Sequence, residues 1–286
     1  MTTRIAVLGT GKMGGTIARR LAGAGFDLVL WNRTPERALA LGVGRVVDTP
    51  AQAARDASII ITSLTGAEAV RATLERPNDG ALSGVTGHPL FIEMSTAGPD
   101  IEAEVTAAIR AAGATLVDAP IVGAPRVVES GTAAILIGGD ASDVERARPV
   151  LQTLGEVHHV GPLGSGARLK LVANSYLAAL TAAAAELQAA GVAAGLAPND
   201  VFFVLQRLVP ALGLRRTGFV EGLHEPAQFA LRDLRKDIDL ALEMFGRSDS
   251  RVPITTRVRE IVTKAALQSP ASDITGVMLQ YAASRS

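Results

Sequence analysis

The stretch Arg4-Ile5-Ala6-Val7-Leu8-Gly9-Thr10-Gly11-Lys12-Met13-Gly14 decides the fold of this chain. Five residues typical of a buried β-strand run directly into a G-x-G-x-x-G turn, and a helix pattern begins at once. Each glycine has a mechanical reason: Gly9 allows a tight turn, Gly11 lets another molecule approach the backbone, and Gly14 lets helix and strand pack closely. The stretch therefore predicts a strand, a tight turn and a helix.

The context of this turn favours dinucleotide binding over a turn that serves only packing. The following helix offers free backbone N–H groups to a pyrophosphate, and a second strand follows at the right distance. An acid at the end of that strand would bind the ribose 2′-OH of NAD, whereas an arginine accommodates the 2′-phosphate of NADP. The chain reads Asn32-Arg33-Thr34 there, which favours NADP as the cofactor, with NAD less favoured. Thr34 before Pro35 is also a good helix start, and both roles are compatible.

The first half of the chain alternates short apolar runs with helix-like runs. Strands are predicted at 4–8, 27–31, 45–47, 58–62, 90–94, 115–117, 133–137 and 157–160, and helices at 13–24, 67–74, 99–111 and 142–154. Such alternation predicts an α/β, doubly wound, mostly parallel sheet of the Rossmann type. The glycines at 161–166 end this pattern, and the remainder of the chain has a helical pattern. We predict a sheet domain at residues 1–163 and an all-α domain at residues 164–286, joined through a long interdomain helix at 167–194.

Composition narrows the possible partners. The 286 residues carry 28 basic and 28 acidic side chains, so the basic footprint of a nucleic-acid-binding protein is missing. The chain has no cysteine, which excludes disulfides and thiolate metal sites and is consistent with a cytoplasmic location. The four histidines have no metal-ligand spacing, so no metal is expected.

The most apolar long stretch, 171–196, contains Asn174, Glu186 and Gln188 and is mostly alanine, which favours a buried helix over a membrane span. A helix that is apolar almost all round should be buried on most sides. Since one small chain has difficulty covering it, we expect a homodimer or homotetramer formed through the helical domain.

Lys170 lies near the start of this apolar helix, and Asn174 follows four residues later on the same face. A charged group there is costly unless it is paired or used, and desolvation lowers the pKa of a lysine ammonium toward neutrality. Such a lysine can exchange a proton with a substrate. The helix pattern alone leaves two alternatives, because a lysine near a helix end can also extend its ammonium to solvent.

Residues 164–174, Gly-Ser-Gly-Ala-Arg-Leu-Lys-Leu-Val-Ala-Asn, resemble the catalytic G-x-G-x-x-x-K-x-x-x-N stretch of the β-hydroxyacid dehydrogenases. Further motifs appear in the order of that family over nearly the whole chain. They are the glycine turn with its methionine, Glu93-Met94-Ser95-Thr96-Ala97-Gly98-Pro99, Asp118-Ala119-Pro120-Ile121-Val122-Gly123-Ala124, Phe229-Ala230-Leu231 and Lys236-Asp237-Ile238.

The resemblance implies an oxidoreductase that transfers hydride between NADP and a small β-hydroxy acid or the matching semialdehyde. Lys170 would be the general acid and base, and Asn174 would hold the substrate beside it. The implied cofactor contacts, besides residues 32–34, are Gly9, Gly11, Lys12, Met13, Gly14, Leu64, Thr65, Thr96 and Lys236. The implied substrate contacts are Ser95, Val122, Gly123, Phe229 and Asp237, with Asp237 also orienting Lys236. From spacing alone, Lys236 and Asp237 would instead be a solvated charge pair.

Departures from the family pattern leave the substrate open. Val122 replaces the substrate-loop serine, Ala124 the second glycine, and Gly98 another serine. The substrate is expected to be bulkier, less polar, or held by backbone N–H groups. Two alternatives are an imine reductase on the same scaffold, which usually lacks the lysine, and a non-catalytic NADP-binding protein. The presence of Lys170 and Asn174 argues against both.

Overall fold

The computed structural model describes residues 3–281, and its strands all lie in the first two thirds of the chain. The strands are β1 Arg4–Leu8, β2 Asp27–Trp31, β3 Arg45–Val46, β4 Ile59–Thr62, β5 Leu90–Glu93, β6 Thr115–Asp118, β7 Ile121–Val122, β8 Ala133–Gly138 and β9 Gly155–Gly161. The predicted strands are confirmed within one or two residues at each end. The short β7 was not predicted.

Helices connect these strands and make up the second part of the chain. They are α1 Lys12–Gly23, α2 Pro35–Leu39, α3 Pro50–Ala54, α4 Ala67–Glu75, α5 Pro99–Ala111, α6 Pro125–Glu129, α7 Ala141–Leu151, α8 Ser165–Ala193, α9 Pro198–Leu208, α10 Arg216–Glu221, α11 Leu231–Arg247 and α12 Pro253–Gln268. Short 3₁₀ turns are Ala81–Gly84, Pro210–Arg215 and Ile274–Gln280.

The sheet has the doubly wound order β3-β2-β1-β4-β5-β6, with all of these neighbours parallel. The strand order reverses between β1 and β4, and ligands of open α/β sheets bind in the crevice at such a switch point. Beyond β6 the sheet continues through β8, which pairs antiparallel with β6 and β7 and parallel with β9. The predicted Rossmann-like, mostly parallel sheet is therefore confirmed.

Both faces of the sheet are buried, which explains why its strands are continuous apolar runs. Along β1, Ile5 and Val7 belong to one core cluster, whereas Ala6 and Leu8 belong to the cluster on the opposite face. Helices α1 and α7 contribute to the first cluster, and helices α4 and α5 contribute to the second. The loops at the carboxyl ends of the strands therefore start from a sheet that is packed on both faces.

The chain divides into two compact units, a sheet unit that ends at Lys170 and a helical unit that begins at Leu171. Helix α8 contains this division, and the domain boundary predicted after residue 163 lies just before its start. In the helical unit a core of alanines and larger apolar side chains forms between α8, α11, α12 and the last 3₁₀ turn. Its helical character was predicted and is confirmed.

The single chain leaves much of the apolar surface of α8 exposed, as expected for a helix that one small chain has difficulty covering. Leu169, Val172, Tyr176 and Leu187 each expose at least 41% of their surface. Among the described residues 3–281, one helix, α8, is long and apolar enough to cross a membrane. That is weak evidence, because the core helix of a soluble protein has the same properties.

Candidate active site

The glycine turn after β1 is packed so tightly that two of its glycines admit no side chain. A Cβ on Gly9, whose φ is +98°, would lie 2.4 Å from the carbonyl oxygen of Ser63. A Cβ on Gly14 would lie 2.0 Å from the carbonyl oxygen of Gly9. A Cβ on Gly11 would meet nothing within 4 Å, so that side of the turn is open. A pyrophosphate requires a turn of this kind, which is tightly packed against the sheet at Gly9 and Gly14 and accessible at Gly11.

Helix α1 begins at this open side without a side-chain cap. Its N-cap is Gly11, and no acidic residue lies in its first turn. The first-turn N–H groups and the positive end of the helix dipole therefore suit an anion. Lys12 is exposed at the start of the helix, whereas Met13 is half-buried against the core. The residues present thus fit the phosphates of a dinucleotide.

The end of β2 is joined to the glycine turn by short hydrogen bonds. The N–H of Gly9 donates to the carbonyl of Trp31 at 2.8 Å, and the indole Nε1 of Trp31 donates to the carbonyl of Asp48 at 3.2 Å. The N–H of Thr10 donates to Oδ1 of Asn32 at 2.9 Å, while Nδ2 of Asn32 donates to the carbonyl of Thr34 at 2.9 Å. Asn32 therefore fixes two loops rather than pointing into solvent.

Arg33 and Thr34 follow Asn32 in the sequence and are exposed. Thr34 is the N-cap of α2, as predicted, but its hydroxyl makes no capping bond and stays available to an oxygen ligand. The guanidinium and this hydroxyl are the groups that a ribose 2′-phosphate would use, and the sequence places no carboxylate at positions 32–34 to repel it.

A buried network joins the loops that follow β4 and β5. The N–H of Leu64 donates to Oγ of Ser95 at 2.9 Å, and the N–H of Ser95 donates to Oε1 of Glu93 at 2.6 Å. The hydroxyl of Thr62 donates to the other carboxyl oxygen of Glu93. Ser95, predicted to contact substrate, is thus buried and supports the neighbouring loop. Sequence reasoning missed Thr62 and Glu93, although a lone acid ending an apolar strand was a signal.

Burial dominates the electrostatics of this network. Glu93 exposes 3% of its surface, and burial raises the pKa of its carboxyl, although the bonds from Ser95 and Thr62 lower it. Thr65 is exposed, and Thr96 is half-buried. Both come after strands that border or adjoin the switch point, so they lie at the edge of the sheet where the glycine turn also lies.

The predicted substrate loop comes directly after β6. Its short strand β7 pairs with β8, with Val122 opposite Ala134. Val122 is half-buried, and Gly123 has φ +151°, where a Cβ would lie 3.2 Å from that of Val127. The loop is therefore held in place by backbone pairing and by close packing, and its side chain at 122 is apolar.

Lys170 lies in the second turn of α8 and is half-buried. Asn174, one turn later in the helical unit, is buried, and its Nδ2 donates to Oδ2 of Asp237 at 2.6 Å. Lys236 lies next to Asp237 on α11, and its Nζ is 3.0 Å from Oδ1 of that carboxylate. The structure thus brings two predicted residues, Asn174 and Lys236, to the buried carboxylate of a third, Asp237, although Asn174 is 63 positions away from that acid.

Phe229 lies two residues before α11 and is half-buried against the helical core. Its N–H donates to Oδ2 of Asp273 at 3.2 Å, and the N–H of Gln228 donates to the same oxygen at 3.0 Å. Arg215 pairs with Asp273 at 3.2 Å, and both side chains are about nine-tenths buried. Asp273, missed at the sequence level, therefore fixes the loop that presents Phe229.

Two family models together match almost the whole chain. The NAD-binding domain of 6-phosphogluconate dehydrogenase matches residues 4–161, and the NAD-binding domain of NADP-dependent 3-hydroxyisobutyrate dehydrogenase matches residues 164–281. The chain belongs to the β-hydroxyacid dehydrogenase family. It binds a nicotinamide dinucleotide and is an NAD(P)-dependent oxidoreductase acting on CH–OH groups.

Individual members of the family agree with this assignment. A 3-hydroxyisobutyrate dehydrogenase of Pseudomonas aeruginosa is 37% identical over 271 residues, which cover 91% of each chain. The 3-hydroxyisobutyrate dehydrogenase of Mycobacterium tuberculosis, solved with L-serine, is 26% identical with a TM-score of 0.85, over 99% of this chain and 100% of the other.

An imine reductase from a Pseudomonas species shares the fold at a TM-score of 0.67. It is 20% identical and covers 98% of this chain and 99% of its own. At that identity the likeness concerns architecture alone.

Proposed function

We propose that this β-hydroxyacid dehydrogenase transfers hydride between NADP and a small β-hydroxy acid or the matching semialdehyde, with Lys170 as general acid and base. The observation on which this rests most is the buried bond from Asn174 to Asp237. It holds a polar amide one turn after Lys170 on a helix that is mostly apolar. Buried polar groups fixed in this way are typical of a site that must orient a ligand.

The chain's own residues handle the proton. When bound, the nicotinamide supplies hydride in reduction and receives it in oxidation. In reduction, the ammonium of Lys170 stabilises the negative charge on the substrate oxygen and donates a proton from Nζ. In oxidation, the neutral amine of Lys170 accepts the hydroxyl proton.

Asn174 and Lys236 position the reacting groups in this proposal. A carboxylate only accepts hydrogen bonds, so Asp237 holds the amide of Asn174 by its Nδ2. Oδ1 of Asn174 then remains as an acceptor for a substrate hydroxyl. The ammonium of Lys236, anchored to the same carboxylate, would extend to the cofactor and substrate.

NADP rather than NAD is proposed from the end of β2. Arg33 and the uncapped hydroxyl of Thr34 are exposed there, and Asn32 occupies the position at which an acid would bind a free ribose hydroxyl. The apolar side chain of Val122 in the substrate loop supports a substrate with an apolar group at that point, its carboxylate being held elsewhere.

The test measures the oxidation of NADPH and of NADH with glyoxylate, succinic semialdehyde, methylmalonate semialdehyde and a cyclic imine. Lys170→Ala should lower kcat by about 10²–10⁴-fold on the accepted aldehyde, the usual contribution of a general acid. Lys264→Ala, which removes an exposed lysine of α12, is the matched control and should leave kcat unchanged.

Aldehyde turnover that survives Lys170→Ala would refute the role of Lys170. Turnover of the imine alone would replace the proposal by imine reduction. Equal or better kcat/KM with NADH would remove the NADP assignment, and binding of NADPH without turnover of any substrate would favour a non-catalytic protein.

We further propose that two or four copies assemble through the helical unit. Phe203, Val204 and Leu208 on α9 expose 55–77% of their surface, and α8 exposes Leu187 and Val192. Exposed apolar area of this kind is typical of a surface covered by a partner. Light scattering of the purified chain tests the assembly, and a monomer would refute it. The cytoplasmic location stays a prediction.

A further inference from the structure

Asp118, the last residue of β6, is a buried acid with two backbone donors from the start of α8. The N–H of Gly164 donates to its Oδ1 at 2.6 Å, and the N–H of Ala167 donates to its Oδ2 at 2.7 Å. The side chain is fully buried. Its carboxylate thus caps a helix of 29 residues from another element, at a sequence separation of about fifty residues.

Two glycines make room for this carboxylate. A Cβ on Gly138 of β8 would lie 2.4 Å from Oδ1 of Asp118, and a Cβ on Gly166 of α8 would lie 2.7 Å from Oδ2. The Cβ on Gly166 would also lie 2.1 Å from the carbonyl oxygen of Leu136. The first turn of α8 is therefore pressed against β8 and the acid, and cannot shift without breaking these contacts.

Backbone charges offset part of the cost of burying this acid. Burial raises the pKa of Asp118, whereas the N–H groups of Gly164 and Ala167 lower it. The positive end of the α8 dipole acts in the same direction as these donors.

The sheet register places this cap in line with the glycine turn. Leu8 lies opposite Thr62, Thr62 opposite Glu93, and Glu93 opposite Asp118. The row spans three strand spacings of about 4.8 Å, or about 14 Å. Asp118 therefore fixes the start of α8 at the same edge and level of the sheet at which Gly9 begins the dinucleotide turn.

We propose that Asp118 is a positioning residue for Lys170, and this rests on the proposed function of Lys170. Ala167, whose N–H the carboxylate holds, precedes Lys170 by three residues, or less than one helical turn. Both lie in the sheet unit, so the cap sets the height of the Lys170 backbone above the edge of the sheet. Asp118 itself touches neither substrate nor cofactor in this role.

The test compares Asp118→Asn with wild type and with Glu102→Gln, a control that alters another buried acid of the sheet unit. An amide accepts through one oxygen only, so one of the two anchoring bonds is lost. We expect kcat to fall about 10–100-fold, because small displacements of a catalytic group have effects of this size. The dissociation constant of NADPH should change less than about twofold, since the glycine turn is unaltered.

A second readout separates positioning from a purely structural cap. In the background Lys170→Ala, Asp118→Asn should lower the residual kcat by less than about twofold, since the group that it positions is gone. The pH dependence of kcat should also shift in Asp118→Asn, because the environment of the Lys170 ammonium changes. Equal losses in both backgrounds, or an unchanged kcat with an unchanged pH dependence, would overturn the proposal.

If Asp118→Asn does not fold, Asp118→Ser takes its place, because the shorter side chain removes the carboxylate without crowding Gly138 or Gly166. The same outcomes then apply. Failure of the proposed function is distinguishable: it is full aldehyde turnover by Lys170→Ala alone. Loss of activity in Lys170→Ala with none in either Asp118 variant contradicts only the positioning role.

Discussion

The sheet unit and the helical unit surround their buried carboxylates with different partners. In the sheet unit, Glu93 and Asp118 are bonded by hydroxyl and backbone N–H donors, and burial raises the pKa of both. In the helical unit, Asp237 contacts the ammonium of Lys236, and Asp273 contacts the guanidinium of Arg215. The difference indicates that the sheet unit is sensitive to high pH, whereas the helical unit depends on ion pairs.

In the sheet unit, we expect Glu102 to have the largest effect on how the free energy of unfolding depends on pH. This side chain of α5 exposes 1% of its surface, and burial, with the nearby charge of Glu93, raises its pKa from 4.5 to about 9. The folded chain then keeps a proton that the unfolded chain releases between these values. The contribution of Glu102 to the free energy of unfolding is therefore greatest below pH 4.5. It falls as the pH rises toward 9, by at most about 1.4 kcal/mol per pH unit.

Urea denaturation from about pH 5 to about pH 9 measures this slope. Glu102→Gln should make this slope shallower, because glutamine stays neutral, while Glu93 and Asp118 still contribute. Glu104→Gln, which alters an exposed acid on the same helix, should leave the slope as in wild type. A wild-type stability that is constant over this range would contradict the raised pKa.

Asp273 should give the next largest effect, on the helical side. Asp273→Asn leaves the buried guanidinium of Arg215 without its counter-charge, and breaking such a pair costs about 3–5 kcal/mol. The measurement is the urea midpoint of unfolding followed by circular dichroism. Glu243→Gln, which removes an exposed pair with Arg247, should cost about 0–1 kcal/mol. Similar losses for both variants would show that burial of the pair is unimportant.

Asp237→Asn sharpens the comparison at the active site, with a smaller effect on stability than on rate. An amide at this position has one acceptor oxygen and no charge, so it cannot hold both the amide of Asn174 and the ammonium of Lys236, and we expect kcat to fall about 100-fold. Steady-state kinetics with the preferred aldehyde measures it. Asp239→Asn on the same helix removes an exposed pair with Arg259 and serves as the control. An unchanged kcat would mean that Asp237 serves packing alone.

The sequence predicted the features that local patterns specify. The glycine turn, the alternating strands and helices, and the change to an all-helical second part depend on periodicity and on glycine positions, and the structure has all three. Strand β7 escaped prediction because two residues carry no periodicity, and pairing with β8 stabilises them. The exposed apolar side chains of α8 agree with the expectation that one small chain does not cover this helix, although hydrophobicity alone did not say which face stays uncovered.

The sequence also could not predict contacts between residues that are distant along the chain. The family motifs pointed to Asn174, Lys236 and Asp237 separately, but no spacing rule joins α8 to α11. The register of the parallel strands likewise determines the hydrogen bonds of Thr62, Glu93, Ser95 and Asp118. Single-residue patterns contain no information about that register, so these roles appear only once the strands are paired.

The position of Trp31 has a practical consequence. It is the single tryptophan of the chain, buried at the end of β2, and its backbone carbonyl holds the N–H of Gly9. Tryptophan fluorescence therefore reports on the end of β2, beside the glycine turn and the exposed Arg33 and Thr34. Titration with adenosine 2′,5′-bisphosphate, which has no nicotinamide, would then measure how firmly the chain holds the adenosine half of its cofactor.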